Sequence, residues 1–230
     1  MPLTLIYWEV SRVKIGLAPR VFKVDDNAAI GIGSLIMFIA MIIVAGIAAS
    51  VMIQTMNGLE EQAMNTGRET IRDVSSGLRV DQVTGYYDGS SITQIAIFVR
   101  TTAGSPDVDL SEAYVSISDS SKKVILNYTS NVFSSTISNG IFGTINSSNL
   151  SATTYGLMVV RDIDSSCTST NPTINTDDLV VIMLNSTDCF SGLSTRTDVS
   201  GYIVPEYGMS GVFSFSTPSV FIDTIIELQT

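Results

Sequence analysis

Residues 27–54, NAAIGIGSLIMFIAMIIVAGIAASVMIQ, contain no charged side chain. From Ala28 to Ile53 the stretch is long enough to cross a bilayer, which takes about 20 apolar residues in a helix. A secretory signal has a shorter apolar core of about 7–15 residues, followed by a small-residue cleavage site, and this stretch matches neither feature. The stretch could be discarded, anchor a domain in a membrane, or become the packing surface of an assembly.

The charges around the stretch predict its orientation in a membrane. Four basic residues precede it, and the acidic residues Glu60 and Glu61 follow it; the basic residues are Arg12, Lys14, Arg20 and Lys23. Positive charge is retained on the cytoplasmic side of a membrane helix. We therefore expect the N-terminus to face the cytoplasm and the rest of the chain to lie outside.

The helical pattern continues beyond the uncharged stretch. From Met52 to Leu78, apolar residues recur every three or four positions, which predicts one helix from about Ala29 to Ser76. Its first half is apolar on every side and therefore needs lipid or other copies of itself as neighbours. Small side chains would allow helices to approach closely; the candidates are Gly31, Gly33, Gly46, Ala49 and Ser50.

After Gly77 the periodicity changes to the alternation of β-strands, as in Ile95, Ile97 and Val99. Further candidate strands follow at residues 113–118, 124–128, 157–160, 179–184, 212–215 and 224–228. Seven or eight short strands separated by Gly, Asn, Asp and Ser predict an all-β immunoglobulin-like sandwich. The fold class is therefore α+β, with a long hydrophobic helix before the sandwich. Residues 130–151 are polar and of low complexity, which predicts a long surface loop or a hairpin.

Composition excludes several kinds of chemistry. The chain has no histidine, so it cannot use histidine as a general base, a metal ligand or a triad member. It also has no phosphate-binding glycine loop followed by lysine, no Cys-x-x-Cys and no HExxH. The net charge of −10 repels nucleic acid phosphates. We predict no enzymatic activity, no cofactor and no nucleic acid partner.

Three sets of side chains are candidate sites in the β-domain. Cys167 and Cys189 would pair as a disulfide in an exported protein, or remain two thiols in a reducing compartment. A group of aspartates either ligates a divalent cation or occupies solvated turns; these are Asp162, Asp164, Asp177, Asp178 and Asp188. Four Asn-x-Ser/Thr sequences are glycosylation candidates, at Asn127, Asn146, Asn149 and Asn185.

Several blocks of the chain resemble the archaellins, the archaeal flagellins. Residues 29–53 resemble their N-terminal helix, with its GIG start, FIAM centre and final small and β-branched residues. Residues 66–69 (TGRE) and 74–78 (VSSGL) resemble two further blocks, as do 204–208 (VPEYG) and 215–219 (FSTPS) near the end. The resemblance is strongest over residues 29–105 and thin in the middle of the chain.

The resemblance implies processing like that of type IV pilins. A prepilin-peptidase-like enzyme removes a leader, here residues 1–28, by cleavage between Ala28 and Ala29. Family leaders usually end in a basic residue and glycine, whereas this chain has Asn27 and Ala28. Membrane assembly machinery then moves the membrane-anchored precursor into an extracellular filament used for swimming. Its partners are copies of itself, with or without other archaellins.

The same resemblance implies three parts of the chain: the leader at 1–28, a filament-core helix at 29–77 and an outer β-sandwich at 78–230. An adhesive type IV pilin would share this export route but build a stationary filament. A single-span protein with a binding or enzymatic outer domain is the third possibility. The blocks from FIAM to VSSGL favour the archaellin.

Overall fold

The computed structural model describes the backbone of residues 26–230 and the side chains from residue 30 onward. Most of the predicted leader, residues 1–25, lies outside the described residues. The boundary between the two compact units of the chain falls between Glu61 and Gln62. Helix α1 runs over Asp26–Ser75, close to the predicted bounds of Ala29 and Ser76.

The sequence of α1 favours an uninterrupted helix. It contains no proline, and most of its residues are Ala, Ile, Met and other residues compatible with a helix. Two hydroxyl groups in the apolar half bond to the helix itself. Ser34 Oγ donates to the Gly31 carbonyl and Thr55 Oγ1 to the Met52 carbonyl, each at 2.9 Å. These hydroxyls therefore do not need water as a partner.

The second unit contains the end of α1 and a domain rich in β-strands. Its strands are β1 (Leu78–Tyr87), β2 (Ile92–Thr101), β3 (Val108–Asp109), β4 (Tyr114–Ser118), β5 (Lys123–Ser134), β6 (Thr154–Arg161), β7 (Thr173–Ile174), β8 (Leu179–Asn185), β9 (Asp198–Val204), β10 (Gly211–Ser216) and β11 (Ile225–Gln229). Two short helices, α2 (Ile141–Thr144) and α3 (Ser186–Phe190), lie in the connections.

Nine of these strands form one sheet in the order β10-β9-β4-β5-β6-β8-β2-β1-β11, and β3 pairs with β7. All neighbours in the large sheet are antiparallel except β5 and β6. Its two ends approach each other, because the backbone N–H of Ser214 in β10 donates to Oε1 of Gln229 in β11 at 2.9 Å. The predicted fold class, a long helix followed by a β-rich domain, is confirmed. The strands that we expected in a two-layer sandwich are instead joined by hydrogen bonds in one curved sheet.

The central strands β2, β6 and β8 are buried on both faces. Ile97 and Ile182 lie in the main core, while Ala96 and Val181 belong to a smaller cluster on the opposite face. That second face is covered by residues 135–153, which we call the cover segment. The prediction of a polar surface segment here was wrong in one respect, because Ile145 and Leu150 within it are buried against the sheet. A few apolar residues are enough to hold an otherwise polar segment on the sheet.

Candidate functional site

The main candidate site is the surface of α1 in the first unit. Every described side chain from Ile30 to Glu61 is exposed, including Ile36 at 61%, Phe38 at 62% and Ile42 at 55%. An exposed apolar surface of this extent marks a site of contact with lipid or other proteins. Among the described residues, α1 is the helix long and apolar enough to cross a membrane.

The small residues predicted to pack helices together lie on this surface. A Cβ atom added at Gly31, Gly33 or Gly46 would meet nothing within 4 Å beyond the local helix backbone. Ala49 and Ser50 are also exposed, and Ala28 and Ala29 lie in the first turn of α1. Among the described residues, Gly31, Gly33, Gly46, Ala49 and Ser50 are exposed, so we expect any packing that they contribute to involve other molecules.

Within the second unit, the end of α1 is fixed to the sheet by Met209 and by Gly208, the last residue of the VPEYG block at 204–208. The Met209 N–H donates to the Ser76 carbonyl at 2.9 Å, and the Leu78 N–H donates to the Met209 carbonyl at 3.0 Å. Gly208 has a φ of 89°, and a Cβ there would collide with the backbone of Ser76. Only glycine tolerates this combination of left-handed backbone and close approach. The connection between α1 and β1 is thus held by a segment whose structural role the sequence did not reveal.

The four glycosylation candidates differ in accessibility. Asn127 is exposed in β5, and its side chain forms no hydrogen bond with the described residues. Asn146 and Asn149 are exposed at the two ends of a 3₁₀ turn in the cover segment, and Asn146 Oδ1 accepts from the Ser148 N–H at 3.1 Å. The amide nitrogens of these three residues are therefore available for a glycan.

Asn185 does not fit a glycan-bearing site in the folded domain. It is 6% exposed and caps α3, where Oδ1 accepts from the N–H groups of Thr187 and Asp188. Its Nδ2 donates to the Ser147 carbonyl and to Asp188 Oδ2, both at 3.1 Å. A glycan on Nδ2 would disrupt this capping network. The sequence pattern shows neither burial nor capping, so it could not distinguish Asn185 from the other three.

The predicted disulfide is not formed. Cys167 and Cys189 are separate, buried thiols: Cys167 pairs by backbone with Pro172, and Cys189 lies in α3. Burial raises the pKa of Cys167 to about 12. Burial also raises the pKa of Cys189 to about 11, because its effect is larger than that of nearby Lys122, which lowers this pKa. Each thiol fills space in the core. The spacing of the two cysteines in the sequence could not distinguish two separate buried thiols from a disulfide.

Three of the five candidate aspartates lie together. Carboxylate oxygens of Asp162, Asp164 and Asp178 lie within 4.8 Å of one another, while Asp177 and Asp188 are not in this group. Oxygen atoms in such a group suit a divalent cation. They also organise the loop between β6 and β8, because Asp162 and Asp178 accept backbone N–H groups, including that of Cys167 at 3.1 Å. This second role accounts for the cluster without an ion.

This architecture is typical of a filament subunit. Its apolar helix is exposed for contact with other molecules, and its β-domain encloses a hydrophobic core of its own. The comparisons with known proteins agree. The family model for archaeal-type flagellin matches residues 28–215. Flagellin B2 of Methanocaldococcus jannaschii is 40% identical over 212 residues, which cover 90% of this chain and 98% of that protein. Flagellin B1 of Methanococcus voltae is 37% identical over 214 residues, with the same coverage.

Two solved structures resemble the fold. Archaeal flagellin FlaB1 of Methanocaldococcus jannaschii has a TM-score of 0.61 and 33% identity, covering 67% of this chain and 97% of that one. The archaeal flagellum of Methanospirillum hungatei strain JF1 has a TM-score of 0.59 and 15% identity, covering 85% and 98%. The chain belongs to the archaeal-type flagellin family and is a structural subunit of the extracellular archaellum filament, which serves motility. Of the three possibilities, the prediction of an archaellin is confirmed, rather than that of an adhesive pilin or a single-span protein.

Proposed function

We propose that the chain is made as a membrane-anchored precursor and becomes a filament subunit after its leader is removed. A prepilin-peptidase-like enzyme cleaves between Ala28 and Ala29, and membrane assembly machinery transfers the mature chain into the growing filament. The observation that carries this proposal is the apolar surface of α1, exposed on every side from Ile30 to Ile53. Such a surface is stable in lipid before assembly and among like helices after it.

Cleavage follows from the charges of the leader. Residues 1–28 carry four basic and three acidic groups. An unpaired charge in an apolar interior costs several kcal/mol, so these groups cannot enter a core built from α1. Removal of the leader leaves a mature N-terminus without a charged side chain before Glu60.

In the assembled filament, residues 29–53 form the core and residues 78–230 form the outer wall. Gly31, Gly33, Gly46, Ala49 and Ser50 allow neighbouring helices to approach closely. Asn127, Asn146 and Asn149 carry glycans on the wall, which their exposure supports. The protein has no catalytic role, consistent with a structural family and with the absence of histidine.

Mass spectrometry of the N-terminal peptides of sheared filaments tests this proposal. We expect the mature chain to begin at Ala29. In cells without the peptidase, we expect the full-length chain in the membrane fraction and no filaments. Recovery of peptides spanning Met1 to Lys23 from assembled filaments would contradict the proposed processing.

A further inference from the structure

Two acidic residues on α1 form no ion pair with any other described residue. Glu60 and Glu61 are the first charged side chains after the apolar stretch, and no basic residue lies within four positions of either. An ion pair along the helix is therefore not available to them. The ion pairs among the described side chains join Asp81 to Arg79 and Arg100, and neither glutamate takes part.

Two arginines on the same helix are likewise without an ion pair in the described part of the chain. Arg68 and Arg72 are the basic residues of α1, and neither forms an ion pair among the described side chains. The Arg72 guanidinium carbon lies 4.4 Å from the centre of the Tyr207 ring. This cation–π contact restrains the side chain without neutralising its charge. Restraint in advance lowers the entropy that an ion pair would cost.

A groove of about 570 Å³ opens beside these arginines, within the second unit. It is bounded by the last turns of α1 and by the loop that follows β2; the lining residues are Arg68, Ile71, Arg72, Ser75, Gly104, Ser105, Pro106 and Thr176. None of them is acidic, although the whole chain has 22 acidic residues against 12 basic ones. The charge of the groove therefore favours an acidic occupant.

We propose that Glu60 and Glu61 of one subunit dock at the Arg68–Arg72 groove of a neighbouring copy of the chain. This inference rests on the filament assembly described above. Identical subunits in an open fibre are related by an operation that does not close on itself, so neighbours are displaced along the axis. The acidic and basic residues are 7 to 12 positions apart on α1. At about 1.5 Å per residue, a displacement of roughly 10–18 Å brings them level.

The position of the glutamates explains why they need this partner. They directly follow the apolar stretch, whose burial in the filament also removes water from the residues at its end. A carboxylate that loses water without gaining a cation opposes assembly. Glu69 is less suited to the role, because it lies three positions before Arg72 on its own helix, a spacing at which the two side chains can approach each other, although they form no ion pair here.

Charge reversal tests the pairing directly. We expect the double variant E60R/E61R, and separately R68E/R72E, to lower the ratio of filament-bound to membrane-bound subunit at least about tenfold, as for loss of one partner in a desolvated charge pair. The fourfold variant that combines both changes restores opposite charges between copies. We expect it to recover the ratio to within about threefold of the unmodified protein.

Lys123→Glu provides a control, since Lys123 is an exposed basic residue in β5; we expect it to leave the ratio unchanged. Normal filaments from either double variant would overturn the pairing. So would failure of the fourfold variant to recover, because the charges would then act with something other than each other. The leader proposal is judged separately, from the N-terminus of the unmodified filaments.

Discussion

Replacement of Gly46 by leucine separates folding of the subunit from its assembly. Gly46 lies in the apolar half of α1, and an added Cβ would meet nothing within 4 Å beyond the local backbone. We therefore expect a leucine here to cause no clash with the described residues. It also favours the helix by up to about 1 kcal/mol, because glycine is a poor helix former. The subunit should fold and reach the membrane as before.

The same leucine should hinder the filament. If Gly46 lies where helices approach closely, the larger side chain overpacks each contact at a cost of about 1–3 kcal/mol per subunit. Since 1.4 kcal/mol corresponds to a factor of ten in an equilibrium constant, the subunit concentration needed for elongation rises about 5- to 150-fold. Gly46→Ala adds a single carbon atom and should have a smaller effect.

Quantitative immunoblots of sheared filaments and of membranes measure this partition, and electron microscopy measures filament length. We expect Gly46→Leu cells to retain subunit in the membrane, make few or short filaments and swim poorly on soft agar. Thr136→Leu adds the same side chain at an exposed position of the cover segment and should assemble normally. Filaments of normal length from Gly46→Leu would show that these helix contacts do not limit assembly, and the β-domains would then have to hold the filament together.

Three further predictions concern the β-domain. Gly201→Ala should destabilise the detergent-solubilised subunit by about 1–3 kcal/mol in thermal unfolding, because its Cβ would lie 2.7 Å from a backbone oxygen of β4 and collide with an aromatic ring. Without reductant, a thiol reagent should label Cys167 and Cys189 only after denaturation, since burial raises both pKa values; absence of free thiols in denaturant would restore the disulfide. Glycopeptide mass spectrometry should find a glycan at Asn127 and none at Asn185, and an occupied Asn185 would contradict its burial.

The parts of the fold that depend on local pattern could be predicted from the sequence. The apolar periodicity placed α1 within a few residues of its bounds, and the run Leu179–Leu184 matches β8. Strand β9 was missed because its sequence, DVSGYIV, contains serine and glycine in place of a continuous apolar face. Glycine is needed at position 201 because the backbone there packs tightly against β10. This packing depends on how the strands are arranged, so no local sequence pattern predicts it.

Pairing between distant residues could not be predicted. The approach of the two ends of the sheet, the parallel contact of β5 with β6 and the burial of Asn185 all depend on contacts far apart in the chain. The same holds for the two cysteines, whose spacing permits a bridge that the fold does not make. The acidic group in the loop after β6 was anticipated by residue type, but only the fold selects Asp162, Asp164 and Asp178 from five candidates.

The two units of the chain complete their burial in different ways, and this determines how variants act. The β-domain encloses its own core, with Ile97 and Ile182 fully buried, whereas the first half of α1 leaves its apolar surface to other molecules. A glycine-to-alanine change at Gly201 therefore acts within one subunit and lowers its stability. The same change at Gly46 meets no contact among the described residues beyond the local helix backbone and favours the helix, so we expect any defect it causes to arise between subunits. A variant that folds normally but fails to polymerise locates an assembly contact, and α1 is where we expect such variants to concentrate.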